Sequence, residues 1–218
     1  MPGAAQEKSS EQKITPFKIA VKDEILRDLK ERLARTRWPD QIDGTDWEYG
    51  VPLASMQKLV EYWRTKYDWR EQEKNLNKLD QFVTRIDGLD IHFVHVRSKE
   101  KQALPLVIVH GWPGSFYEFH KIIGPLTDPV SHGGKAEDAF HVVCPSLPGF
   151  GFSSKPGERG WNSQRMAEVI AKLMARLGYE RYGAQGGDWG AGVTRWLAAN
   201  DGGRCIGGHS NFPPSARP

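Results

Sequence analysis

The run LPLVIV, residues 104–109, is apolar on both faces of any strand it could form. A strand with one polar face can lie at a surface. A strand with none must be covered on both sides, as in the middle of a parallel sheet. The chain that follows meets this demand. Helix-type and strand-type segments alternate: helix in SFYEFHKIIGPL, strand in FHVVCPS, helix in NSQRMAEVIAKLMARLG, strand in RYGAQG, helix in WGAGVTRWLAAN, strand in CIGGHS. Such alternation predicts an α/β fold with a doubly wound, mainly parallel sheet. Ligands of these sheets bind at the carboxyl ends of the strands. Asn162 is placed to cap the middle helix and Gly178 to close it.

Before residue 104 the pattern differs. In VKDEILRDLKERLARTRW, residues Ile25, Leu26, Leu29 and Leu33 form one helical stripe, which Pro39 is expected to end. The loop-like DQIDGTDWEYGVPL follows. Ser55 then reads as the N-cap of SMQKLVEYWRTKYDW, with Met56, Leu59, Val60, Trp63 and Tyr67 on one side. The period shifts to two in QFVTRI, Asp87-Gly88, LDIHFVHVR, a β-hairpin with a tight turn. The expected organisation is a disordered tail over 1–13, a mostly helical region over 14–103 ending in the hairpin, and an α/β part over 104–218.

Composition excludes several classes. The 39% hydrophobic content and 8 Trp supply a core, and the net charge of +3 is spread without a basic cluster, which argues against nucleic acid. Cys144 and Cys205 each sit in an apolar segment and read as reduced thiols. The N-terminal residues carry no hydrophobic signal region, and no run approaches the ~18 apolar residues of a membrane span. A cytoplasmic protein without a membrane anchor is expected.

Three loops follow predicted strands and so meet at one sheet edge: HGWPGS at 110–115, SLPGFGFSS at 146–154 and GGDWG at 186–190. The last has small residues around a central reactive one at a strand-to-helix turn, where the turn is too sharp for bulk. The central residue is Asp188. A serine attacking a saturated carbon would leave an ether, whereas an aspartate leaves an ester that water can cleave at its carbonyl. An elbow aspartate therefore suits an epoxide or an alkyl halide. An isolated GGD is more often a plain helix cap, but HGWPGS upstream reverses that preference. In this kind of elbow one oxyanion donor is the amide after the nucleophile, here Trp189, and the other comes from the loop after an earlier strand, here Trp112. SLPGFGFSS has no phosphate-loop spacing; Phe150 and Phe152 there line the pocket or pack. The Trp112–Pro113 bond is expected to be cis.

The histidines are weaker candidates. His92 and His95 point to opposite faces of a strand and make a poor metal pair. His110 reads as a structural hydrogen-bonding residue. His209 lies too close behind Asp188 for the base, which in this fold follows the acid late in the chain. The sequence calls for no metal and no cofactor.

With these motifs, the sequence resembles the epoxide hydrolases of the α/β-hydrolase superfamily, in the microsomal-type branch with its soluble fungal and bacterial members. FKIAVKDEILRDLKERLARTRWPD, WEYGVPL and LVEYWRTKYDWREQEKNLNKLDQFVTRIDGLDIHFVH are similar to that branch's N-terminal region, which haloalkane dehalogenases are not known to carry. The resemblance implies that this chain holds the N-terminal part of an α/β-hydrolase fold. It implies Asp188 as nucleophile, backbone oxyanion donors at Trp112 and Trp189, and a small apolar epoxide and water as reactants in detoxification of xenobiotics. Members also use two lid tyrosines, a late acid and a late histidine, and these would lie past Pro218. The expectation is a truncated chain, inactive alone, whose full-length form could be a homodimer. The alternatives are a haloalkane dehalogenase-like hydrolase, since a Trp after the aspartate occurs there too, and a non-catalytic fragment that binds a partner.

Overall fold

LPLVIV forms an interior strand of the sheet, with a parallel neighbour on each side. The computed structural model describes residues 13–212. The disordered tail expected over 1–13 falls, but for Lys13, outside the described residues. The elements in chain order are β1 (Ile14–Pro16), α1 (Asp23–Ala34), α2 (Leu53–Thr65), α3 (Trp69–Leu76), β2 (Gln81–Ile86), β3 (Leu89–Val96), β4 (Leu104–Val109), α4 (Ile123–Thr127), β5 (Phe140–Pro145), α5 (Ser163–Arg176), β6 (Tyr182–Gly186), α6 (Trp189–Asn200) and β7 (Cys205–Ser210). The division at 103/104 is one of sequence type. In space there are two compact units, residues 19–78 and the remainder.

Seven strands form one sheet in the order β1-β2-β3-β5-β4-β6-β7. The pairings β1–β2, β2–β3 and β3–β5 are antiparallel, while β5–β4, β4–β6 and β6–β7 are parallel. The β2–β3 hairpin turns on Asp87 (φ 50°) and Gly88 (φ 77°), two left-handed residues in a row, which matches the right-handed twist of the strands. Its strands extend the sheet beyond β5, to which β3 pairs. β1, which the sequence pattern did not reveal, adds an edge strand of three residues. Phe93, Val107, Val109 and Val143 of the strands pack with Ile170, Leu173 and Met174 of α5 and Val193 and Leu197 of α6 in one apolar core. α5 is capped as expected: Arg165 N donates to Asn162 Oδ1 (3.0 Å), and Gly178 takes φ +81° behind its end.

The single helix expected in SFYEFHKIIGPL does not form. The segment makes a 3-10 turn over Phe116–Phe119 and then the five-residue α4. Pro125 has no N–H and its ring clashes with a preceding helical turn, so it is tolerated only near the start of a new helix.

The helical unit departs from the sequence reading at its ends. α1 stops at Ala34, well before Pro39; Thr36 Oγ donates to Leu33 O (2.8 Å) and satisfies a terminal carbonyl. α2 begins behind Pro52, so Ser55 lies inside its first turn and not at its cap. The helix read over residues 55–69 ends at Thr65, and α3, which the sequence reading did not include, starts at Trp69, where Asp68 accepts from Arg70 N and Glu71 N. The buried Glu73 of α3 accepts from Val21 N (2.7 Å) and Trp69 Nε1 (3.2 Å) and pairs with Arg70 (2.7 Å), which also reaches Asp23. The stripes of α1 and α2 border an apolar groove of ≈ 800 Å³ lined by Leu26, Leu29, Leu33, Leu59 and Trp63. Among the described residues no helix is long and apolar enough to cross a membrane.

Candidate active site

Strand order brings the candidate residues together. β4 runs parallel to β5 on one side and to β6 on the other, so the chain departs from β4 in both directions. The loops after these three strands leave the same sheet edge at that switch point, the place where ligands bind in such folds. HGWPGS follows β4, SLPGFGFSS follows β5 and GGDWG closes β6.

The elbow is as tight as its glycines suggest. A Cβ on Gly186 would lie 2.2 Å from Gly190 O, and one on Gly190 would lie 2.1 Å from Val109 O. Both would strike backbone, so neither position can carry a side chain without moving the turn. Between them Asp188 sits at φ 51°, ψ −123°, in a region that costs a non-glycine residue on the order of 1–3 kcal/mol. It holds the N-cap position of α6, yet its side chain makes no cap hydrogen bond to that helix. Its carboxylate turns instead to HGWPGS: Trp112 N donates to Asp188 Oδ1 (2.8 Å). The amides of Trp112 and then Trp189 hold the Asp188 carboxyl below the usual carboxylate value. Asp188 is therefore ionised and aimed at open space at neutral pH. Asp188, Trp189, Ser163, Ala191, Gly192 and Phe212 line a shallow depression of ≈ 280 Å³. Trp112 and Trp189 are exposed, and it is their backbone amides that meet the carboxylate. The Trp112–Pro113 bond is cis. Among the described residues no group of three or more His, Cys, Asp or Glu is arranged to hold a metal ion.

Two family models match the chain: "Epoxide hydrolase N terminus" over residues 14–119 and "alpha/beta hydrolase fold" over residues 105–208. The chain is 60% identical over 200 residues to a Stigmatella aurantiaca protein with a provisional epoxide hydrolase name, covering 92% of this chain and 46% of that one. It is 44% identical over 201 residues to Epoxide hydrolase 1 of Sus scrofa, covering 90% and 44%. The structure superposes on the juvenile hormone epoxide hydrolase of the silkworm Bombyx mori with a TM-score of 0.84 at 34% identity, covering 95% of this chain and 55% of that one. The chain belongs to the epoxide hydrolase family. It spans about half the length of the curated relatives it matches.

Within this epoxide hydrolase frame the other sequence candidates find their places. Phe150 and Phe152 pack: Phe150 lies against His110 (ring centroids 5.3 Å apart) and Phe152 against His92 and Phe17. SLPGFGFSS is a strap tied to β3, through Ser146 N to His92 O (2.8 Å) and Ser154 N to Asp90 O (2.8 Å). His92 and His95 are buried and separately bonded, His92 to Ser146 and Gln81, His95 to Tyr179. His209 is exposed on β7 beside Gln185, and among the described residues no hydrogen bond joins it to Asp188.

Sequence reasoning missed Glu118. Its Oε1 accepts from Ser115 N (3.1 Å) while Ser115 Oγ accepts from Tyr117 N (3.2 Å), a reciprocal cap that braces the loop carrying Trp112. The spacing Ser-x-x-Glu was there to be read. At Gly111 a Cβ would lie 2.6 Å from Asp188 Cβ and Oδ1, so its absence makes room for the carboxylate.

Proposed function

We propose that this chain carries the nucleophile of an epoxide hydrolase that converts epoxides to vicinal diols through an ester at Asp188. One observation carries the reading: a carboxylate at a strained elbow that makes no cap hydrogen bond to its own helix and accepts instead from the amide of a second loop. A residue serving only as a cap would accept from the N2 or N3 amide of α6, Gly190 or Ala191. In the first step an Asp188 oxygen attacks an epoxide carbon, the ring C–O bond breaks, and the released oxygen takes a proton. In the second, water adds to the ester carbonyl, and the Cγ–O bond breaks to free the diol. The Trp112 and Trp189 amides face the carboxylate oxygens and become oxyanion donors in the second step, each worth about 2.7–4 kcal/mol of transition-state stabilisation in sites of this kind.

The 218 residues alone do not complete the cycle in this reading. The single histidine that follows Asp188 in the chain, His209, is exposed and unlinked to it. Water activation and protonation of the ring oxygen fall to residues of a longer protein, in keeping with the relatives' length.

The test is single-turnover reaction in heavy-oxygen water, in a form extended to the relatives' length. An ester route puts protein oxygen in the first diol and label in the Asp188 carboxylate. Asp188→Asn should lower alkylation by at least ~10³-fold with the fold retained, since a neutral amide is a poor nucleophile toward carbon. Label passing straight into the first diol, with Asp188→Asn still active, sinks the reading. Release of halide but no diol would instead favour a dehalogenase.

A further inference from the structure

His110 is 1% exposed and does not line the depression at Asp188, yet both its ring nitrogens are committed. Leu147 N donates to Nε2 (3.1 Å), and a backbone N–H can only donate, so Nε2 is unprotonated. The proton is then on Nδ1, which donates to Gly111 O (2.9 Å). That carbonyl shares a peptide unit with the Trp112 N–H, which donates to Asp188. A peptide unit is planar, so fixing its C=O fixes the direction of its N–H.

The clamp answers a problem that the elbow creates. Gly111 must be glycine, because any Cβ would collide with Asp188. Glycine rotates freely, and so the peptide that must point at the nucleophile lacks the steric restraint a side chain would give. His110 supplies that restraint from the other end of the same peptide. The ring is itself held, with Phe150 edge-on against it and Leu147, in the strap after β5, anchoring its far nitrogen. We propose that His110 is a positioning residue, locking the Gly111–Trp112 peptide plane so that the Trp112 amide stays aimed at Asp188. The inference rests on the reading of Asp188 and Trp112 given above.

The experiment compares His110→Leu with His110→Gln, whose amide can donate to Gly111 O and accept from Leu147 N. Amide hydrogen exchange at Trp112 and the carboxyl titration of Asp188 are followed by NMR in the full chain. His110→Leu should speed Trp112 exchange by about tenfold or more, the scale of losing a hydrogen bond to a charged group. It should also raise the Asp188 titration toward the ordinary carboxylate value, and His110→Gln should restore both. Unchanged Trp112 protection and Asp188 titration in folded His110→Leu would overturn the proposal. Equal loss in both variants would too, whether by unfolding or by general loosening, since it would mark a packing role. Neither readout needs turnover. If Asp188→Asn keeps activity while His110→Leu shifts Asp188, the catalytic reading fails and the clamp stands.

Discussion

At Asp188 a single residue gives up local comfort for direction. Its left-handed backbone is tolerable because the groups around it leave no alternative: Gly186 against Gly190 O, Gly190 against Val109 O and Gly111 against the carboxylate. Gly190→Ala should therefore destabilise the chain by about 3 kcal/mol or more, because its Cβ meets backbone that cannot swing aside. Gly157→Ala, with nothing within 4 Å of its Cβ, should stay within ~0.5 kcal/mol of the parent. Urea denaturation of the two variants measures the difference, and equal stabilities would show that the elbow can relax. Much at this scale was legible in the sequence. The need for small residues around a displayed side chain follows from turn geometry alone, and Trp112 and Trp189 were placed beside Asp188 by their position in the loops. What was not legible is pairing across distance. Nothing in HGWPGS states that His110 will find Leu147, and Glu118 was hidden because its cap belongs to a 3-10 turn and not to the long helix its segment suggested.

Among the elements, the most strongly periodic helix, α5, folded as read with its caps, while the helix ends of residues 19–78 did not. α5 shows why a long amphipathic helix is easy to read: one apolar stripe, an Asn before it, a Gly after it. The helices of residues 19–78 show the opposite case. Ser55 and Asp68 are both plausible caps on residue type, and only the backbone distinguishes them: Asp68 is extended and accepts two amides, while Ser55 already lies within a helix begun by Pro52. The consequence is measurable. Asp68→Ala should cost about 1 kcal/mol of stability, the usual worth of an N-cap side chain, while Ser55→Ala should be close to neutral. Thermal unfolding of both variants would decide, and a larger loss at Ser55 would restore the single-helix reading. The helix expected after HGWPGS failed for a different reason: the Gly124-Pro125 pair interrupts its segment, which breaks into a 3-10 turn and a short helix.

Over the whole molecule the sheet order does the assembling. Placing β4 between β5 and β6 brings a donor loop, a strap and an elbow to one edge although they are far apart in sequence, and this order follows from the alternation of elements only when the switch point is recognised. The same sheet buries histidines that must stay neutral, and this gives the fold an acid limit. Burial pushes His92 and His95 down to about 4, His95 with help from the neighbouring charges of Arg97 and His141. His110 is lowered too, again mainly by burial. Unfolded histidine titrates near 6.5, so between that value and about 4 the unfolded chain takes up protons that the folded chain refuses. Stability is then complete above pH 6.5 and falls as pH drops, at up to roughly 1.4 kcal/mol per pH unit for each such histidine. The carboxylates act lower. Asp188 and Glu73 are held below their ordinary values of 3.8 and 4.5, so what they contribute is lost only beneath that range. Urea unfolding at pH 7 and pH 5 should thus differ by about 2–4 kcal/mol from His92 and His95 together. His95→Gln should remove about half of that difference, while retaining a polar partner for the Tyr179 hydroxyl that His95 Nε2 meets at 2.8 Å. A stability that stays level from pH 7 to pH 5 would mean that these rings gain a proton without leaving the fold. The sheet would then have to open to water at β3, the hairpin strand to which the SLPGFGFSS strap is tied.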